Sequence, residues 1–92
     1  MEFSYAHDLP PGITITLQYD AGLQKITHKP KDPVRMSAHT PFGFLLETIL
    51  ISYPEISQKY SQGLVGFSIH GTVPKPYSPL FEGDVVSLFM LE

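Results

Sequence analysis

The segment from Leu80 to Leu91 sets a Gly83-Asp84 turn directly against Val85-Val86-Ser87-Leu88-Phe89-Met90, a run that is apolar on both faces. Strand alternation puts Val86, Leu88 and Met90 on one side and Val85, Ser87 and Phe89 on the other. A strand apolar on both sides belongs in the middle of a sheet. Because this one comes so late, the fold must be closed by inserting its last segment between strands laid down earlier.

The rest of the chain has room for one core. Ninety-two residues make a single domain. Apolar residues make up 42% and charged residues only 16%, which points to a globular chain with little solubilising charge and a surface suited to partner contacts. Six Lys and Arg against nine Asp and Glu leave a net charge of -3 with no basic run, so nucleic-acid binding through phosphate neutralisation is disfavoured. Without cysteine, disulfides, thiolate metal sites and cysteine nucleophiles are excluded. The start Met1-Glu2-Phe3-Ser4-Tyr5 has neither a basic nor an apolar signal region, and no apolar stretch is long enough for a membrane span. A cytoplasmic protein without membrane contact is the expectation.

Along the chain, Pro10-Pro11-Gly12 separates a leader, residues 1–12, from a domain over residues 13–92. Ile13 to Tyr19 alternates without fault and predicts a half-buried strand. After Asp20-Ala21-Gly22, residues 23–28 read as a weaker strand returning antiparallel, and residues 29–39, with Pro30 and Pro33, as loop or irregular edge. Thr40-Pro41 reads as a capping hydroxyl followed by a first-turn proline. Phe42, Leu45, Leu46, Ile49, Leu50 and Tyr53 then form one helical face, with a further helical turn over residues 54–60. Val65, Phe67 and Ile69 alternate with Gly66 and Ser68 as a third strand ending at His70-Gly71. Three prolines between Thr72 and Pro79 leave at most a short edge strand near Thr72-Val73. Strand, strand, helix, strand, irregular edge and final central strand is the order of a β-grasp sheet, with its first and last strands parallel at the centre.

Three pieces in that order resemble a family. Residues Phe42 to Ile56 are similar to a helix running into a tyrosine-proline turn, Val65 to Gly71 to a third strand and turn with His70 where asparagine is usual, and Leu80 to Leu88 to a leucine, glycine-aspartate and strand ending. Together they resemble the small sulfur carriers: the small subunit of molybdopterin synthase, the thiamine-pathway sulfur carrier and their ubiquitin-like relatives. The likeness covers about residues 13–91. It implies an α+β, ubiquitin-like β-grasp fold, a mixed sheet of four to five strands packed on one main helix. It also implies a flexible Gly-Gly tail, whose carboxylate threads into an activating enzyme. Here the sequence reads Met90-Leu91-Glu92 instead.

The chemistry-bearing residues point away from catalysis. His7, His28, His39 and His70 share no ligand spacing and read as structural or solvated. Glu82 and Asp84 flank Gly83 in a turn expected to face water, where neither would gain a useful pKa. No serine elbow or phosphate-binding glycine loop occurs. No catalytic, cofactor or metal site is expected. Five Tyr and six Phe exceed what a small core needs, and if Ser87 faces water, Val85 and Phe89 share its open sheet face. The expected function is a non-catalytic protein-interaction module of the sulfur-carrier-like superfamily, binding a protein partner through Val85, Ser87 and Phe89. The leader, through Phe3 and Tyr5, or a second copy in a homodimer are the other candidate covers for that face. The alternatives are a sulfur carrier or molybdopterin synthase small-subunit relative whose Gly-Gly tail is absent from this chain, and a TGS-like RNA- or ribosome-associated module.

Overall fold

Strand β1, Gly12–Tyr19, forms where β-branched and apolar residues alternate, burying Ile13, Ile15, Leu17 and Tyr19 and leaving Thr14, Thr16 and Gln18 on the other face. The computed structural model describes residues 12–91. The expected leader therefore lies outside the described residues, except for Gly12, which opens β1.

After Asp20 the structure departs from the strand that the sequence predicts. Residues 21–27 form a helix, α1 (Ala21–Thr27), and not a returning strand. The cause is Asp20, whose Oδ1 accepts the Leu23 N–H at 2.9 Å as an N-cap, while Leu23 and Thr27, four apart, are buried on one face. The other oxygen of the same carboxylate accepts the Met90 N–H at 2.8 Å, so one side chain fastens the helix start to the end of the last strand.

The returning strand is β2, Lys31–Ser37, in the stretch expected to be loop. Pro33 is tolerated for a geometric reason. Tyr19 donates its N–H to the Pro30 carbonyl, and bonded pairs in an antiparallel ladder recur every second residue, so Asp32, Val34 and Met36 carry the ladder. Pro33, opposite Thr16, falls between them, where its missing N–H would only have pointed outward.

Two helices follow, α2 (Phe42–Ser52) and α3 (Pro54–Ser61). α2 buries Phe42, Leu45 and Ile49, with Leu46, Leu50 and Tyr53 packed beside them, as the periodicity predicts. Full burial of a residue such as Leu45 contributes about 1.5–3 kcal/mol. The expected cap is corrected: Pro41 occupies the N-cap position, and the Thr40 hydroxyl donates back to the Ser37 carbonyl at 2.6 Å. Pro54 opens α3, where an absent N–H costs nothing.

Strands β3 (Val65–Ile69) and β4 (Val85–Met90) complete the sheet. The order is β2-β1-β4-β3, with β4 parallel to β1 and antiparallel to β3. The closing strand is thus central, with Val86 and Leu88 buried against the helices. Thr72 makes only an isolated bridge to Ile69, and there is no further strand among the described residues.

Gly83, at φ 84°, takes a left-handed turn into β4. Asp84 is the main correction here, because it is buried and not solvated. Its Oδ2 accepts the Phe81 N–H at 2.9 Å, its Oδ1 lies 3.0 Å from His70 Nε2, and its carbonyl accepts the Thr16 N–H at 2.9 Å. The turn is covered because it begins the parallel pairing of β4 with β1, and a buried carboxylate needs such partners.

Candidate functional site

The open face of the sheet has two halves. On β2 and β1 it carries Lys31, Pro33, Arg35, Thr14, Thr16 and Gln18, with Arg35 Nη1 3.5 Å from the Thr14 hydroxyl. On β4 and β3 it carries Val85, Ser87, Phe89, Gly66 and Ser68. The three residues expected at the site therefore share this face, with Val85 exposed and Ser87 and Phe89 half-buried. They do not form a broad apolar patch, since Ser87 pairs with Ser68 and Phe89 leans outward over β3. A side chain on Gly66 would meet the Phe89 ring at 2.5 Å, so it is the glycine that leaves room for the ring beside the strand.

Phe89 leads to a feature the sequence reading did not identify. Along the outer edge of β3 runs a cavity of about 380 Å³. Its floor is Val65 and Phe67 of β3, Phe42 and Leu46 of α2 and Tyr60 of α3 wall it on the helical side, and Val73, Pro74 and Pro76 form the opposite bank. Phe89 and Leu91 close it toward the open face. Phe67 is fixed by edge-to-face contacts with Phe42 at 5.5 Å and Tyr60 at 5.7 Å. Val73 and Tyr77 stand about three-quarters exposed beside it, and Leu91 and Tyr60 are more than a third exposed. Among the described residues no charged side chain lines this cavity. Of the expected residues it takes in Phe89 and leaves Val85 and Ser87 outside.

The cavity exists because the hairpin that turns at His70-Gly71 cannot close it. Ile69-His70-Gly71-Thr72 is a two-residue hairpin turn, with His70 and Gly71 both at positive φ and Ile69 and Thr72 exchanging both backbone hydrogen bonds. A hairpin continued in that register would pair Phe67 with residue 74 and Val65 with residue 76. Both are proline. Neither has an N–H to donate, so the strand cannot continue. The segment peels away and is held instead by α2: the Pro76 carbonyl accepts the Gly43 N–H and the Ser78 carbonyl the Phe42 N–H, each at 2.8 Å.

A second cavity of about 370 Å³ adjoins the first, sharing Val73 and Pro74. It is lined by His70, Asp84, Lys75, Thr72 and Ser78. His70 pairs with Asp84 while three-quarters of its own side chain faces water. His28, His39 and His70 all adopt left-handed backbone at φ 63°, 66° and 52°. Each ends an element or makes a turn, a role that histidine fills more readily than branched residues. His7 lies outside the described residues. Among the described residues no three His, Asp or Glu side chains converge as a metal site would require.

Across the sheet, Tyr19 is buried beside Asp32 and Tyr53, with its hydroxyl donating to Asp32 Oδ2 at 3.4 Å. Burial, reinforced by the Asp32 carboxylate, pushes its phenol well above the ordinary tyrosine range. It stays a neutral donor. No helix among the described residues is long and apolar enough to cross a membrane.

No protein-family model matches the sequence, and no curated protein matches it. Solved structures do match its fold. The Pyrococcus furiosus protein assigned as molybdopterin converting factor subunit 1 superposes with a TM-score of 0.75 at 15% identity, over 87% of this chain and 99% of its own. The Haloferax volcanii protein HVO 2177 gives 0.72 at 17% identity, over 88% of this chain and 85% of its own. Small archaeal modifier protein 1 of H. volcanii gives 0.68 at 13% identity, over 87% and 99%. The chain thus shares the fold of these proteins, a ubiquitin-like β-grasp.

Proposed function

We propose that this protein is a non-catalytic, ubiquitin-like interaction module that binds a protein partner with the β4 and β3 half of its open sheet face. The observation that carries this reading is the apolar surface that runs from Phe89 across Gly66 to the β3 edge, with Val85 exposed on the same face beyond Ser87, beside a cationic and hydroxylated half on β1 and β2. Aromatic anchors next to a polar rim are what protein interfaces use. Val85, Ser87 and Phe89 are the residues assigned to the contact.

The test is site-specific crosslinking with a photoreactive phenylalanine analogue at position 85 or at Arg35. Crosslinks to one reproducible protein from position 85, absent from position 35 and lost with Phe89→Ser while the circular dichroism spectrum is unchanged, support the assignment. Equal labelling from both positions sinks it.

A second reading, a sulfur carrier or a molybdopterin synthase small-subunit relative, is favoured by the structural likeness to the P. furiosus protein along nearly all of that chain. It requires an activating enzyme to adenylate the C-terminal carboxylate. ATP–pyrophosphate exchange that depends on the protein as the gene encodes it would establish this reading, and its absence would remove it.

A further inference from the structure

We infer that the outer edge of β3 takes up an extended, apolar segment of a partner protein as a fifth strand, with an acidic residue of that segment set beside Lys75. The inference rests on the interaction reading above and names the chemistry of the partner.

The backbone states what fits. Leu64 accepts the Leu91 N–H on the β4 side, and Ile69 turns its groups the other way, to Thr72. By the alternation of an antiparallel ladder, Gly66 and Ser68 bond to β4, while Val65 and Phe67 direct their N–H and C=O groups outward. Among the described residues no backbone hydrogen bond reaches Val65 or Phe67 from that side. Prolines 74 and 76 are what keep the chain's own hairpin from supplying them. Two donors and two acceptors, two residues apart in the floor of an apolar cavity, match the groups of a strand and not those of a compact ligand.

The side chains set the rest. A residue opposite Val65 or Phe67 points to the same side as they do, toward Phe42, Leu46 and Tyr60, so alternate positions of the incoming segment must be apolar. With no charge in the lining, a charged residue at those positions would lose its water without compensation. At the Ile69 end the wall passes through Val73 and Pro74 to Lys75, which makes no ion pair among the described residues, and to the His70 imidazole. An antiparallel incoming strand has its N-terminus at that end. The acidic residue therefore precedes the apolar ones.

The experiment uses the full chain, isotope-labelled, with an acetylated and amidated peptide Asp-Asp-Val-Thr-Val-Thr-Val. A second peptide carries N-methyl groups on those alternate amides that would donate to β3. In the free protein the Val65 and Phe67 amide hydrogens should exchange faster than those of Gly66 and Ser68. The first peptide should slow them by about tenfold or more, the second should not, and Lys75→Glu should weaken the first by about two- to fivefold.

Three results overturn the inference. They are Val65 and Phe67 amides as protected as their neighbours in the free protein, equal effects of both peptides, and protection that rises with protein concentration alone, which would assign the edge to a second copy. If the edge fails in any of these ways while crosslinking from position 85 persists, only strand addition is lost. If crosslinking fails as well, the interaction reading falls with it.

Discussion

The two edges of this sheet both involve proline, and to opposite effect. On β2 the proline lies within the strand, at a position whose N–H would have faced water, and Lys31 and Arg35 stand beside it on the open face. Charges and proline on an edge strand discourage any further strand from joining. On β3 the strand itself has neither proline nor charge, and the prolines lie in the segment that should have covered it. One edge is closed by its own sequence. The other is opened by the sequence of its neighbour, over an apolar floor. Where a proline falls relative to the ladder, more than how many there are, decides whether an edge is blunted or exposed.

The largest test of that contrast is mechanical. β3 is supported from beneath by Phe67, which is 7% exposed and wedged between Phe42 and Tyr60, whereas β2 rests on half-buried Val34 and Met36. Phe67→Ala should cost about 3–5 kcal/mol in urea unfolding, and Val34→Ala about 1 kcal/mol. Equal costs would mean that β2 is as integral to the core as β3 and that the edges differ only at the surface.

A finer test restores what the prolines removed. Replacing Pro74 and Pro76 together with alanine returns the N–H groups the hairpin lacks. Global stability should move by no more than about 1 kcal/mol, since a relaxed unfolded chain offsets new hydrogen bonds. The Val65 and Phe67 amides should nevertheless become about tenfold better protected and the synthetic strand should lose its place. If they remain unprotected, the tether from Gly43 N–H to the Pro76 carbonyl, and not the missing donors, is what holds the segment away.

How far these features could be read from the residues follows from what each depends on. β1, α2, β3 and β4 are local patterns with clean periodicity, so they were legible, as was the parallel pairing of the first and last strands. α1 was not, because Gly22, Ile26 and Thr27 are poor helix formers in isolation, and the Asp20 cap that decides the matter also draws on the distant Met90 N–H. β2 was hidden by Pro33, whose harmlessness depends on register. The solvent-facing expectation for Asp84 failed because its partners come from Phe81, Thr16 and the far side of a turn at His70. The face of Val85, Ser87 and Phe89 was legible from alternation alone. The groove was not, although a signal existed: counting back from the His70-Gly71 turn places Pro74 and Pro76 opposite Phe67 and Val65.

The smallest effect probes the closed edge. Tyr19 reaches from β1 to Asp32 on β2 with a long hydrogen bond, and Lys29 Nζ lies 3.4 Å from the other oxygen of that carboxylate. Removing the hydroxyl in Tyr19→Phe should cost less than about 1 kcal/mol at neutral pH, because the bond is long and Asp32 keeps its lysine. The pH dependence is more telling. With the phenol pushed above its ordinary value in the folded protein, the unfolded chain releases the Tyr19 proton first as pH rises past about 10. The folded state then binds more protons than the unfolded one, so stability falls with rising pH, and Tyr19 contributes in full only below that point. Phenylalanine removes this loss. The two stability curves should run parallel up to about pH 9.5 and converge above it, read as melting temperature against pH. Curves that stay parallel to pH 11.5 would place Tyr19 in contact with water, and would mean that the edge at β2 is looser than its charges and its proline imply.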